Sequence, residues 1–187
     1  MPIFCRVLVT SAVCLLLVTP AQATFLYDNT VNDTFSDLIL SAAEWADDLH
    51  MVSAGNMGAF EFGFNANGAT SATVRFYTND STNSILPGAG SSLLHTEVVS
   101  LPGGSAAGLK HVDLTTSVAL PQDIWMSVQF NGSSASMPMY NPPVVGSSFD
   151  AVYLPASSFL ATSSNLGVTA NFQLSVIEAA ETVIPEP

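Results

Sequence analysis

The groups able to do chemistry in this 187-residue chain are few. There are three histidines, His50, His95 and His111, and they lie far apart. No two share the short spacing of a zinc site or of a nucleophile–base pair. No Gly-x-Ser-x-Gly elbow and no glycine-rich phosphate loop occurs. The histidines therefore read as strand or loop residues. The one adjacent acidic pair, Asp47-Asp48, is a formal candidate for paired-carboxylate hydrolysis. Neighbours on a strand point to opposite faces, however, so the pair reads as a turn or a solvated surface.

Two binding chemistries are better provided for. The stretch "YDNTVNDT" places Asp28, Asn29, Asn32 and Asp33 in one short loop, a density of hard oxygen ligands that suits Ca²⁺. It lacks the glycine and closing glutamate of an EF-hand, and Asx residues in loops commonly bond their own backbone. The second chemistry is sugar stacking on exposed aromatic rings. Strand phasing makes Trp45, Tyr77, Trp125 and Tyr140 the candidates. The competing reading covers Trp125 and Tyr77 with a neighbouring loop or a second sheet.

The elements that must carry these residues are strands. In "GAFEFGFN", Phe60, Phe62 and Phe64 share one face and Glu61 and Gly63 the other. Ala72, Val74 and Phe76 repeat the pattern, as do Ile124, Met126, Val128 and Phe130, with Trp125, Ser127 and Gln129 opposite. Ala170, Phe172, Leu174 and Val176 form a last such run. Weaker runs cover 25–27, 49–52, 93–101, 111–114 and 151–154. Turn signals at Asn65 to Gly68, Asn79-Asp80 and Asn131-Gly132 punctuate them. The spacing predicts an all-β fold, an antiparallel β-sandwich or jelly roll of about 8–10 strands over residues 24–177. Phe60, Phe62, Phe64, Val74, Phe76, Ile124, Val128, Phe172 and Leu174 are expected in its core. "FSDLILSAAEWADD" has fair helical propensity with Ser36 as a possible cap, but the all-β surroundings favour irregular strand. "NSILPGAGSS", "LPGGSAAG" and "NGSSASMPMYNPPVVGSS" read as long loops.

The flanks are processing segments. Arg6, an apolar run from Val7 to Val18, Pro20 and the small-x-small triplet Ala21-Gln22-Ala23 make residues 1–23 a secretory signal peptide cleaved after Ala23. An apolar run of about a dozen residues is too short to span a bilayer. Cleavage removes Cys5, Cys14 and Arg6. Taking 23 residues from 187 leaves 164, enough for one domain. That chain has no cysteine, so neither disulfide nor thiol chemistry is available to it. Its two basic residues, Arg75 and Lys110, face 15 acids, a net charge of −13. Phosphate binding needs Lys and Arg, so nucleic acid is excluded as a partner, and anionic membrane surfaces with it. No cofactor is expected.

Residues 178–187, "EAAETVIPEP", read as a linker ending in Pro185-Glu186-Pro187. A signal peptide, a cysteine-free Ser/Thr/Gly-rich β domain, a short linker and a terminal Pro-Glu-Pro together resemble the PEP-CTERM sorting family of secreted bacterial proteins. "LYDNT" and "NPPVVGSSFDAVYL" also look like segments of a β-sandwich type that often carries this tail. In that family the motif precedes an apolar membrane helix and a basic cluster, whereas this sequence stops at the motif and carries no membrane span after Ala23. The resemblance implies recognition of Pro185, Glu186 and Pro187 by exosortase-type sorting machinery. It implies a secreted location, at the cell surface or in the extracellular matrix of a bacterium. The function expected is that of a non-catalytic envelope- or matrix-associated protein, not an enzyme. The alternative is a carbohydrate-binding β-sandwich module with a structural calcium ion, for which extracellular polysaccharide is the partner.

Overall fold

A computed structural model describes residues 23–79, 92–148, 151–154, 159–162 and 171–180. Every regular element among them is a strand. In chain order these are β1 (Phe25–Asp28), β2 (Asp33–Ile39), β3 (Trp45–His50), β4 (Gly55–Asn65), β5 (Ser71–Thr78) and β6 (Leu93–Ser100). They continue as β7 (Ala107–Leu120), β8 (Asp123–Phe130), β9 (Ser136–Tyr140), β10 (Ala151–Leu154), β11 (Phe159–Thr162) and β12 (Leu174–Glu178). The architecture is the antiparallel β-sandwich that the alternation implies, with twelve strands where the spacing suggested eight to ten. The additional strands include β9, which lies inside a stretch that read as a loop, and β11, which no alternating run marked. No helix among the described residues is long and apolar enough to cross a membrane.

One sheet has the order β1-β12-β4-β9-β2, with β7 on the other edge of β4. The second has the order β11-β10-β3-β8-β5-β6. Every pairing is antiparallel. The inward face of each strand supplies the core, and all nine expected core residues are buried. Phe60 of β4 meets Phe76 of β5 edge-on across the sheets, with ring centroids 5.3 Å apart. That geometry adds about 0.5–1.5 kcal/mol to the burial of the two rings.

"FSDLILSAAEWADD" is strand, as its all-β surroundings favour: it forms β2 and β3 around a turn in which Ser41 and Ala42 have φ of 49° and 60°. Two other local readings are corrected. "NGSSASMPMYNPPVVGSS" is not one long loop, because β9 runs through it and pairs with β2. Asp47-Asp48 is neither turn nor solvated surface. Both residues lie within β3 and are buried. Asp47 accepts the Phe172 N–H at 2.8 Å. Asp48, on the other face, accepts from the Ser148 hydroxyl at 3.2 Å. The segment 83–91 and residue Ala170 lie outside the described residues.

The chain enters and leaves at one end. The Glu178 N–H donates to the Thr24 carbonyl at 2.8 Å, and the Ala179 N–H to that of Asn56 at 2.7 Å. At the opposite end, the Asn29 N–H donates to the Leu174 carbonyl at 2.9 Å.

Candidate functional site

The outer face of the β1-containing sheet is polar because alternation places every second residue of its strands there. On β4 these are Glu61, Gly63 and Asn65, paired with His111, Leu109 and Ala107 of β7. Ser175 of β12 lies against Glu61 on the other side. At the far end from Thr24, β9 and β2 bring Tyr140 opposite Asp33, and Pro138 opposite Asp37. Asp33, Asp37, Pro138 and Tyr140, with Asn65 and Leu109, line a depression of about 490 Å³.

Gln173 forms the centre of that depression. Its backbone bridges two strands, donating to the Pro138 carbonyl at 3.0 Å and accepting the Gly63 N–H at 2.7 Å. Its side chain lies directly over Gly63, where an added Cβ would stand 2.8 Å from the Gln173 Cβ. Glycine at position 63 is what lets the glutamine lie flat on the sheet. Gln173 is only 9% exposed; its side-chain amide bonds to no other described residue, its Oε1 lies over Gly63, and its polar atoms reach solvent at the depression it lines. Around it stand the Asp33 and Asp37 carboxylates, the Asn65 amide, the Tyr140 ring and the half-exposed Leu109. Asp37 also accepts from the Ser136 hydroxyl at 3.2 Å. Burial, followed by the charges of Asp33 and Asp37, pushes the Tyr140 phenol above its usual range. It therefore stays protonated at neutral pH and can donate. No Lys, Arg or His is among the described residues that line the depression.

Each histidine sits beside carboxylates, at three separate places. His50 Nδ1 lies 2.6 Å from Asp123 Oδ1, and His95 Nε2 lies 3.3 Å from Glu97 Oε2. His111 lies between Glu61 (3.0 Å) and Asp113 (3.1 Å) on the outer face. The Glu61 hydrogen bond, with Asp113 adding to it, raises the His111 pKa against a smaller opposing effect of burial. Ser175 is close by, but its hydroxyl donates to Glu61 Oε2 at 2.9 Å and not to the imidazole. The arrangement favours the protonated form of His111; it does not activate a serine, which would need the imidazole as its acceptor.

The Asx-rich loop uses its side chains on protein partners. Asp28 Oδ1 accepts from the backbone and hydroxyl of Thr30 at 2.9 and 2.6 Å. Asn29 Nδ2 donates to the carbonyls of Tyr140 and Phe172, and Asn32 Nδ2 to that of Pro142. The loop thereby ties β1 to the segments after β9 and before β12. Among the described residues, no three His, Cys, Asp or Glu side chains converge to hold a metal ion.

Of the four aromatic candidates, Tyr140 alone lines this depression. Trp125 faces outward on β8 as its phase requires, but it is fully buried against Tyr153, with ring centroids 5.7 Å apart. Trp45 packs on the core and donates to the Leu40 carbonyl at 3.3 Å. Tyr77 donates to Glu44 Oε1 at 2.8 Å. Asp33, Asp37, Asn65 and Gln173 were not singled out as a group by sequence reasoning. The outward phase of Asn65 and Gln173 was readable from Phe64 and Phe172, but their approach to β2 was not. Ala23, the expected cleavage position, is exposed. Ala21 and the motif Pro185, Glu186 and Pro187 lie outside the described residues.

The sequence matches none of the models of known protein families, and it matches none of the curated proteins.

Proposed function

We propose that this is a secreted, non-catalytic protein of the bacterial envelope or extracellular matrix, sorted through its C-terminal Pro185-Glu186-Pro187 by exosortase-type machinery. The observation that carries this reading is the hydrogen bond between Glu178 and Thr24. The leader junction and the linker to the tail meet at one end of the sandwich. Both can be processed there without disturbing a strand. A domain attached through that end projects its opposite end, with the Tyr140 depression, away from the attachment point. Charge supports the same division of labour. With −13 after Ala23 and two cations, the sandwich is repelled by polyanionic matrix, so the tail must set its location.

The test replaces Pro185, Glu186 and Pro187 by alanine in the native gene and compares cell-bound, matrix and medium fractions. The altered protein is expected to be mis-sorted or left unprocessed while its thermal unfolding is unchanged. An unaltered distribution would refute the reading.

A further inference from the structure

The geometry points to the Tyr140 depression as a binding site for an uncharged saccharide. Three independent features converge on that ligand chemistry. The first is Gln173, whose side-chain amide lies over Gly63, lines the depression, reaches solvent there and has no protein partner among the described residues. Its amide atoms reach solvent in the depression, so a ligand hydroxyl can replace water on them. The second is the mixture of groups around it. Asp33 and Asp37 accept hydrogen bonds, the Tyr140 hydroxyl remains a donor, and the Tyr140 ring and Leu109 supply apolar surface. A pyranose presents this complement: hydroxyls that donate to carboxylates, and a C–H face that packs on a ring and an aliphatic side chain. The third is the sign of the field. Two carboxylates line the depression and no Lys, Arg or His is among its described lining residues, which disfavours uronates, phosphates and sulfated glycans and favours neutral sugars, N-acetylated ones included. The depression is open and about 490 Å³, room for one or two sugar rings of a longer chain, and its open form suits binding within a polymer. This inference does not depend on the sorting tail.

The experiment titrates the purified protein with neutral oligosaccharides of glucose, mannose, xylose, galactose and N-acetylglucosamine, and with galacturonate oligomers. Binding is followed by amide NMR shifts and calorimetry. At least one neutral series is expected to bind with Kd on the order of 0.1–1 mM, as suits a shallow, preformed site. The galacturonate oligomers are expected not to bind. Tyr140→Ala should weaken binding at least tenfold and Gln173→Ala at least threefold, while Tyr140→Phe stays within about threefold because the ring is kept. If Tyr140→Ala disturbs the fold, as read by its melting curve, Gln173→Ala and Leu109→Ser decide the matter from the other side of the depression. The proposal is overturned if no neutral series binds at about 10 mM, if galacturonate binds more tightly than all of them, or if the folded variants bind as well as the parent.

Discussion

Removing the carboxylate of Glu44 is the most informative single perturbation of the fold. Glu44 follows the β2–β3 turn and reaches across the outer face of the second sheet. It accepts from Ser127 Oγ at 2.6 Å and Tyr77 OH at 2.8 Å, and it pairs with Arg75 at 2.9 Å. Ser127 is fully buried, and the Glu44 side chain is only 15% exposed. A hydrogen bond to a charged group contributes about 1.5–3 kcal/mol when buried. The Arg75 pair, a quarter exposed, contributes at the lower end because solvent screens it. Water entering the vacated space recovers part of the loss, which leaves Glu44→Ala destabilised by about 2–4 kcal/mol. At about 2–4 °C per kcal/mol for a domain of this size, Tm falls by roughly 5–15 °C. The assay is reversible urea or thermal unfolding, with Ser127→Ala and the double variant completing a cycle. A coupling energy of about 1 kcal/mol is expected between positions 44 and 127. The same site has a pH signature. Burial first, and then Glu44, push the Tyr77 phenol up to about 12 from 10.0. Between those values the unfolded chain releases the proton and the folded one keeps it, so stability falls as pH rises from about 10 to 12. In Glu44→Ala the Tyr77 pKa should drop toward 10 but remain above it, because burial persists; tyrosinate absorbance reads this directly. A loss below about 0.5 kcal/mol, together with additive energies in the cycle, would show that the network is a surface ornament.

Two further outcomes test other parts of the structure. Phe60→Ala removes a fully buried ring from the meeting of the sheets and should destabilise by about 3–5 kcal/mol, measured by urea unfolding. For His111, NMR titration of the imidazole should show a pKa above 6.5 that falls in Glu61→Gln, since the Glu61 hydrogen bond is the main cause of the rise. The folded pKa exceeds the unfolded one, so this stabilisation is present in full below the unfolded pKa. It is lost as pH rises through the folded value, and exposure keeps it small.

Much of this molecule was legible in one dimension. A strand shows its two faces by period two, so Phe60, Phe62 and Phe64 declared a buried face and Glu61 and Gly63 the opposite one before any strand had a partner. Composition alone set the charge at −13 after Ala23 and left the sandwich without thiols. What the period cannot say is which strand lies next, or what covers an outward face. Trp125 has the phase of an exposed residue and is buried because Tyr153, 28 positions away, packs over it. Asp47 and Asp48 look like a solvated turn. They are interior because Phe172 and Ser148, 125 and 100 residues after their partners, supply a backbone N–H and a hydroxyl. The depression has the same origin: β2, β4, β7, β9 and Gln173, just before β12, each contribute a wall. None of those walls encloses anything by itself. Alternation is a property of adjacent residues, whereas burial and enclosure arise from pairings between distant ones, and those were decided only when the two sheets closed on each other.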